Sequence, residues 1–451
     1  MAERPAAPES DTRWRSGGGF MLAALGSAVG LGNVWRFSYV VGENGGGAFL
    51  LVYLLALLLV GVPLLVAEFA LGRAMRRESV AAIRRLAAGS PWRHIAWLSL
   101  VAPSLVLAYY SVVAGWVLRY LMDFSFGPPT AAGDHAAAFS AHVAGTLEPL
   151  AWQAVMLGAT AAAIANEVTR GIERLNRVLM PLLALLLLAM LLQAATLDGF
   201  SRGLAFLFRP DWAALAQPRV YVAALGQVFF SLGLAMGVMV TFGSYLPRGT
   251  ALHRPALAIA FGDTLAALAA GLVIFPAVFT LGLDPAQGPG LAFVVLPEVF
   301  ARIPGGRLVG VAFFLLLTVA ALTSMASLLE VPVAYTIQRF RVSRATASWA
   351  WMLALFLLGV PASLGYGAWS RVRDAAGRGI LELMDAAAVD LLLPLNGLLL
   401  SLLIGWAWNG RRAAAATGIR PRWLAWLWLG VVRFLLPTLL LVVLGAGIAR
   451  L

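Results

Sequence analysis

Apolar runs of membrane-crossing length follow one another along nearly the whole chain. A helical span of hydrocarbon needs about 20 apolar residues. Runs that meet this requirement lie near 18–42, 46–74, 92–122, 148–168, 175–197, 219–246, 253–282, 306–339, 346–366, 380–408 and 423–449. With 61% hydrophobic and only 12% charged residues, a water-soluble fold could not cover its apolar surface. The expected class is therefore an all-α membrane protein of about eleven transmembrane helices. Between the seventh and eighth runs, "GPGLAFVVLPEVFARIPGG" is too short and broken to span and reads as a re-entrant or external helical hairpin.

Charge sets the expected orientation. The formal net charge is +12, and every basic residue among the 33 is Arg. In a soluble chain this excess would suggest nucleic acid; here it marks cytoplasmic connections. "RAMRRESVAAIRR", "RGIERLNR", "RFRVSR" and "RRAAAATGIRPR" fall on one side if the N-terminus is inside. Residues 1–16 then form a cytoplasmic tail without the features of a signal peptide, 17–410 a ten-helix core, and 411–451 an additional C-terminal helix. Cysteine is absent, so neither disulfides nor thiolate chemistry is available. There is no HExxH motif, and His94, His135, His142 and His253 fall near loops. An enzyme is not expected.

Two of the runs carry interruptions. The first contains "GSAVGLGNVWRF", with Gly26, Gly30 and Gly32 beside Asn33 and Arg36; the sixth contains "GQVFFSLGLAMGVMVTFGSY", with Gly226, Gly233 and Gly237. Glycine inside a helix costs about 1 kcal/mol relative to alanine. Amides and carbonyls freed at membrane depth must face protein or a water-filled cavity. Interrupted segments in corresponding positions of two halves point to a secondary transporter built from inverted repeats, here five plus five. Gly26 and Gly30 also fit a small-residue packing motif, which would need neither Asn33 nor Arg36. In the seventh run Asp263 sits well inside an apolar helix, where a carboxylate costs about 2.5–3.5 kcal/mol and suggests function.

"GSAVGLGNVWRF...GENGGGAFLLVYLL", "GQVFFSLGLAMG", "GDTLAALAAGLVIFP" and "AALTSMASLLEVPVAY", in this order, resemble the neurotransmitter:sodium symporter family. The likeness is to bacterial amino-acid transporters of the leucine and multi-hydrophobic-amino-acid type. It implies discontinuous helices 1 and 6, alternating access, and sodium-coupled symport of an amino acid bound at the midplane in a bacterial plasma membrane. Two sodium sites are implied. The first takes the Ala28 carbonyl, Asn33, Ser231, Asp263 and the substrate carboxylate. The second takes the Gly26, Val29 and Ala320 carbonyls with the hydroxyls of Thr323 and Ser324. Those hydroxyls could instead bond carbonyls of their own helix.

The resemblance also implies a substrate pocket. Its carboxylate donors are the Leu31 and Gly32 amides and Tyr110; the ammonium meets carbonyls of Ala28, Phe230 and Ser231. Val106, Phe230, Gly233, Met236, Ser324 and Leu328 surround the side chain. Arg36 and Asp385 would form the outer gate, unless each snorkels to the interface. Gly171 and Pro181 resemble a motif that lets helix 5 unwind, and Arg13 and Trp14 would plug the inner path. Gln338 stands where the family has an inner-gate Asp, which leaves inner closure open. Some bacterial relatives carry a Glu in place of chloride; here that position is Ala267, while Asp263 adds a charge of its own. The expected substrates are hydrophobic, aromatic included, with chloride-independent transport. The alternatives are a non-transporting sensor or scaffold on the same fold, and a symporter of small aliphatic amino acids.

Overall fold

The computed structural model describes residues 17–127, 134–165, 168–247, 250–286, 288–303, 305–375 and 377–448. Its elements are helices, and among the described residues the extended pairing is one isolated bridge, Gly46 to Pro210. The principal helices are α1 (Gly17–Ala28), α2 (Gly32–Glu43), α3 (Gly47–Met75), α4 (Pro91–Phe126), α5 (Leu147–Ile164), α6 (Val168–Ala194), α7 (Pro218–Leu232), α8 (Val238–Ser244), α9 (His253–Thr280), α10 (Gly306–Phe340), α11 (Arg344–Leu364), α12 (Ile380–Ala407) and α13 (Arg422–Gly447). Nine helices among the described residues are long and apolar enough to cross a membrane, or ten when the bent pair α1 and α2 is one span. The pair α7 and α8 occupies the remaining expected run, 219–246, as two pieces that are each too short to count alone. The elevenfold pattern of the sequence and this helix inventory therefore agree.

Apolar side chains on the outer faces stay uncovered at helical spacing, as with Leu185, Leu188 and Leu192 on α6 or Leu353 and Leu357 on α11. In a bilayer these faces meet lipid. The segment between α9 and α10 forms the short helix Val295–Arg302, whose apolar side packs against α10. α13 lies against α12, outside the first ten spans.

The two interruptions arise differently. α1 and α2 meet at a bend of 46°. There the Asn33 side chain accepts from the Gly30 amide at 3.1 Å and so caps the restart from within. α7 ends where Gly233 takes φ 61°, and α8 begins after Gly237 at φ 72°. Both lie in the left-handed region that glycine enters at little cost. Ala235 between them is held at φ 60° despite its Cβ, which costs about 1–2 kcal/mol. Its peptide is gripped on both sides: Glu68 of α3 accepts from its N–H at 2.6 Å, and Asn396 of α12 donates to its carbonyl at 2.6 Å.

The four-helix group α4, α5, α10 and α11 packs together, and α10 runs beside α4 along much of its length. α1, α6 and α9 contact one another, and both α6 and α1 pack against α10. Both chain breaks thus sit between packed groups of helices at the centre of the molecule.

Candidate functional site

At the junction of the breaks lies a small cavity of about 30 Å³. It is bounded by Ser27, Ala28, Gly30 and Gly32 from the first break, Phe230, Ser231, Gly233, Met236 and Val238 from the second, Val106 and Tyr110 of α4, and Ser324 and Leu328 of α10. Every pocket residue expected from the sequence is among them except Leu31, which is fully buried behind the wall. Ser27, Gly30 and Val238 join the wall without having been expected. Close approach explains Gly30: a Cβ there would lie 2.0 Å from the Ser324 hydroxyl oxygen. A larger cavity of about 130 Å³ between the ends of α4 and α10 and the helix His135–Ala144 touches neither break.

The polar end of the central cavity is tightly organised. Asn33 donates its side-chain amide to the Asp263 carboxylate at 2.7 Å and to the Asp263 carbonyl at 3.0 Å. The other carboxylate oxygen accepts from the Ser231 hydroxyl at 2.7 Å and from the Tyr53 hydroxyl at 3.3 Å. All of these groups are buried. Asn33, Ser231 and Asp263 therefore converge, with the Asn33 amide nitrogen facing the carboxylate and its oxygen turned to the Gly30 amide. Tyr53 of α3 was not expected, because a tyrosine in an apolar run carries no signal of its own.

Leu31 is placed differently from the expectation. The Leu31 amide, expected to remain available for a carboxylate, instead donates to the Tyr110 oxygen at 3.0 Å. That oxygen is thereby used as an acceptor, which leaves the phenol proton for another partner.

Where α1 passes α10, Ser324 donates to the Ser27 carbonyl at 3.2 Å, whereas Thr323 donates back to Ala320 of its own helix at 2.9 Å. One hydroxyl thus crosses between helices and the other follows the local alternative. Gly26 lies inside α1 at a close approach to α6: a Cβ would fall 1.8 Å from the Asn176 side-chain oxygen. Gly226 likewise lies within α7, short of the interruption. Both are packing positions. α6 runs unbroken through Gly171 and Pro181, so the unwinding expected of this stretch is not the state seen.

Above the cavity, the Arg36 guanidinium approaches the Asp385 carboxylate at 3.7 Å and lies 4.9 Å from the centre of the Phe230 ring. Phe230 and Tyr110 stand with ring centres 6.3 Å apart. Arg36 also donates to the Gln227 side chain at 2.7 Å, and Tyr109 donates to Asp385 at 2.8 Å. Arg36 is buried rather than snorkelled. Gln227 and Tyr109 were not expected from the sequence.

At the opposite end the sequence left closure open, because Gln338 replaces the usual Asp. Gln338 is exposed near the end of α10. Two turns earlier, the buried Glu330 pairs with Arg344 of α11 through contacts of 2.7 and 3.0 Å. Tyr245, just beyond α8, donates to the same carboxylate at 3.5 Å. An ion pair across the helices at this end is thus present, built from residues other than the one expected. Arg13 and Trp14 lie outside the described residues.

Comparison with known proteins accounts for this arrangement. The model of the sodium:neurotransmitter symporter family matches residues 11–136 and 143–450. The chain belongs to this family of sodium-coupled transporters. It is 37% identical over 447 residues to the uncharacterized sodium-dependent transporter YhdH of Bacillus subtilis, covering 96% of this chain and 97% of that protein. An uncharacterized sodium-dependent transporter of Haemophilus influenzae is 31% identical over 443 residues, covering 95% and 96% of the two chains. Among solved structures, that of MhsT in complex with L-phenylalanine superimposes with a TM-score of 0.91 at 45% identity, covering 96% of this chain and 99% of that one. As a symporter of this fold, the chain is a multi-pass membrane protein with sodium as its coupling ion, and its discontinuous first and sixth spans, α1–α2 and α7–α8, are those of the family's inverted repeat.

Proposed function

We propose that this symporter moves a hydrophobic amino acid, aromatic ones included, together with sodium and without chloride. The observation that carries this reading is the central cavity: polar at the chain breaks, apolar at the far wall, and open beside Gly233. A Cβ added at Gly233 would meet no atom within 4 Å. Met236 in the wall is adaptable in shape. The 45% identity to MhsT, whose structure holds L-phenylalanine, supports the same substrate class.

In this reading the substrate carboxylate meets the Gly32 amide and the Tyr110 hydroxyl, at the positive end of the restarting helix. Its ammonium group meets carbonyls of Ala28, Phe230 and Ser231. The first sodium is held by the Ala28 carbonyl, Asn33, Ser231, Asp263 and the substrate carboxylate, a set of hard oxygens suited to the ion. The second is held between α1 and α10 by the Gly26, Val29 and Ala320 carbonyls with Thr323 and Ser324. Because the first ion touches the substrate, each binds better in the presence of the other.

Two sodium ions and a zwitterion in a poorly polarisable pocket need compensating negative charge. Asp263 supplies it, and Ala267, one turn further on, cannot. Arg36 with Asp385 closes the outer path; Glu330 with Arg344 closes the inner one. The arginine-rich connections support a cytoplasmic N-terminus.

The test is uptake of labelled phenylalanine into proteoliposomes. Accumulation should require an inward sodium gradient and persist when gluconate replaces chloride on both sides. Binding without sodium-driven accumulation would favour a sensor; a marked drop without chloride would show that Asp263 is not the compensating charge.

A further inference from the structure

At the end of the molecule that carries Glu330 and Arg344, a groove of about 540 Å³ runs between the end of α3 and the end of α12. Met75, Arg85 and Leu86 form one side; Trp408, Asn409 and Arg412 form the other. The charge around it is one-sided. Residues 69–97 hold six arginines and one acid, Glu78, and from residue 391 to the end there are six arginines and no acid at all. Glu78 is buried and committed to capping: its carboxylate accepts from the Val80 and Ala81 amides at 2.7 and 2.8 Å.

The arginines nearest the groove are not neutralised by one another's segments. Arg73 donates to the carbonyls of Thr250 and Ala416, which ties the two walls together. Arg85 makes a long contact to the Met75 carbonyl at 3.3 Å and is otherwise exposed, as is Arg412. Tryptophans mark the depth. Trp408 lines the groove, and Trp406, Trp423 and Trp426 are exposed on the adjoining helices. Such a belt belongs at the level of lipid headgroups.

We propose that this groove binds the headgroup of an acidic phospholipid, with the phosphate between Arg85 and Arg412 and the acyl chains along the apolar face of α13, where Leu427, Phe434, Leu441 and Val442 are exposed. Basic pockets between helices at the membrane surface suit this chemistry. A free phosphate would share the arginines but would make no use of the tryptophan-lined opening. A lipid held here would join the ends of α3 and α12, the two helices that grip Ala235 through Glu68 and Asn396.

The experiment is native mass spectrometry of the full-length protein in detergent with phosphatidylglycerol, with phosphatidylcholine, or with inorganic phosphate, at equal concentrations. Phosphatidylglycerol adducts should predominate. Arg85→Gln/Arg412→Gln should weaken phosphatidylglycerol binding about thirty-fold, from the loss of two basic contacts. Arg85→Lys/Arg412→Lys should keep most of the binding, and Arg219→Gln/Arg371→Gln, with the same change of net charge elsewhere, should keep all of it. Elution and melting like the parent protein establish that a variant is folded. Equal binding of phosphatidylcholine, unchanged binding in the double Gln variant of Arg85 and Arg412, equal loss in the Arg219 and Arg371 control, or phosphate binding as tightly as the lipid would each overturn the proposal.

Discussion

Asn33 and Asp263, 230 residues apart in sequence, are joined by a 2.7 Å hydrogen bond at the restart of the first broken helix. With Ser231 and Tyr53 on the other carboxylate oxygen, Asp263 is saturated with donors. Removing its charge leaves these donors without an anionic acceptor, and breaking a buried charged contact of this kind costs about 1.5–3 kcal/mol. Asp263→Asn should abolish sodium-coupled uptake or make it respond to chloride. Sodium-dependent uptake measured in chloride and in gluconate checks this, and a chloride-independent variant with parental rates would contradict it.

Arg36 spans the cavity roof between Asp385, Gln227 and the Phe230 ring. The groups assigned to bind the substrate lie below it. Arg36→Ala should therefore reduce the transport rate at least about ten-fold while equilibrium affinity falls by a few-fold at most, since a group acting on the cycle need not act on the bound state. Parallel scintillation-proximity binding and proteoliposome uptake separate the two. Normal transport would reduce Arg36 to a structural anchor.

The space beside Gly233 makes a size prediction. Gly233→Ser places a side chain where the cavity is open. Because φ is 61° there, any Cβ adds strain of about 1 kcal/mol whatever the substrate. Beyond that common loss, Trp-sized substrates should suffer more than Leu-sized ones. Competition binding with both amino acids reads the difference. Equal losses, or a native preference for glycine and alanine, would rule out the roomy pocket.

Glu330 is fully buried and its partner Arg344 partly so; removal of the arginine leaves a buried charge uncompensated at a cost of about 3–5 kcal/mol. Arg344→Ala should shift the population toward states open at that end. The absence of native cysteine makes this easy to read. A cysteine introduced at Ser244, next to Tyr245, should be labelled by a membrane-impermeant maleimide several-fold faster in the Arg344→Ala background. An unchanged labelling rate with intact folding would show that the pair does not close the path.

The spans, the two interruptions and most of the central residues were legible in the sequence for a local reason. Hydropathy over about 20 residues reports burial in hydrocarbon, and glycine clusters, an Asn or an Asp stand out against an apolar run. Asn33, Asp263 and Arg36 stand out in the chain itself, as do the glycines around Gly233, whereas Ser231 and Tyr110 came only through the resemblance to the symporter family. What tertiary structure decided was partnership. Buried polar groups must find partners, but which ones they find depends on how distant helices pack. Gln227 and Tyr109 could not be paired with Arg36 and Asp385 from their own surroundings, and Tyr53 gave no sign that it faces Asp263. Leu31 lost its amide to Tyr110 for the same reason. Gly26 and Gly30 look alike in sequence, yet one admits Asn176 of α6 and the other Ser324 of α10. At the end of α10, position 338 suggested a missing ion pair, while Glu330 and Arg344, on different helices, supplied one. A sequence records which residues are costly to bury; the crossing of helices determines what offsets that cost.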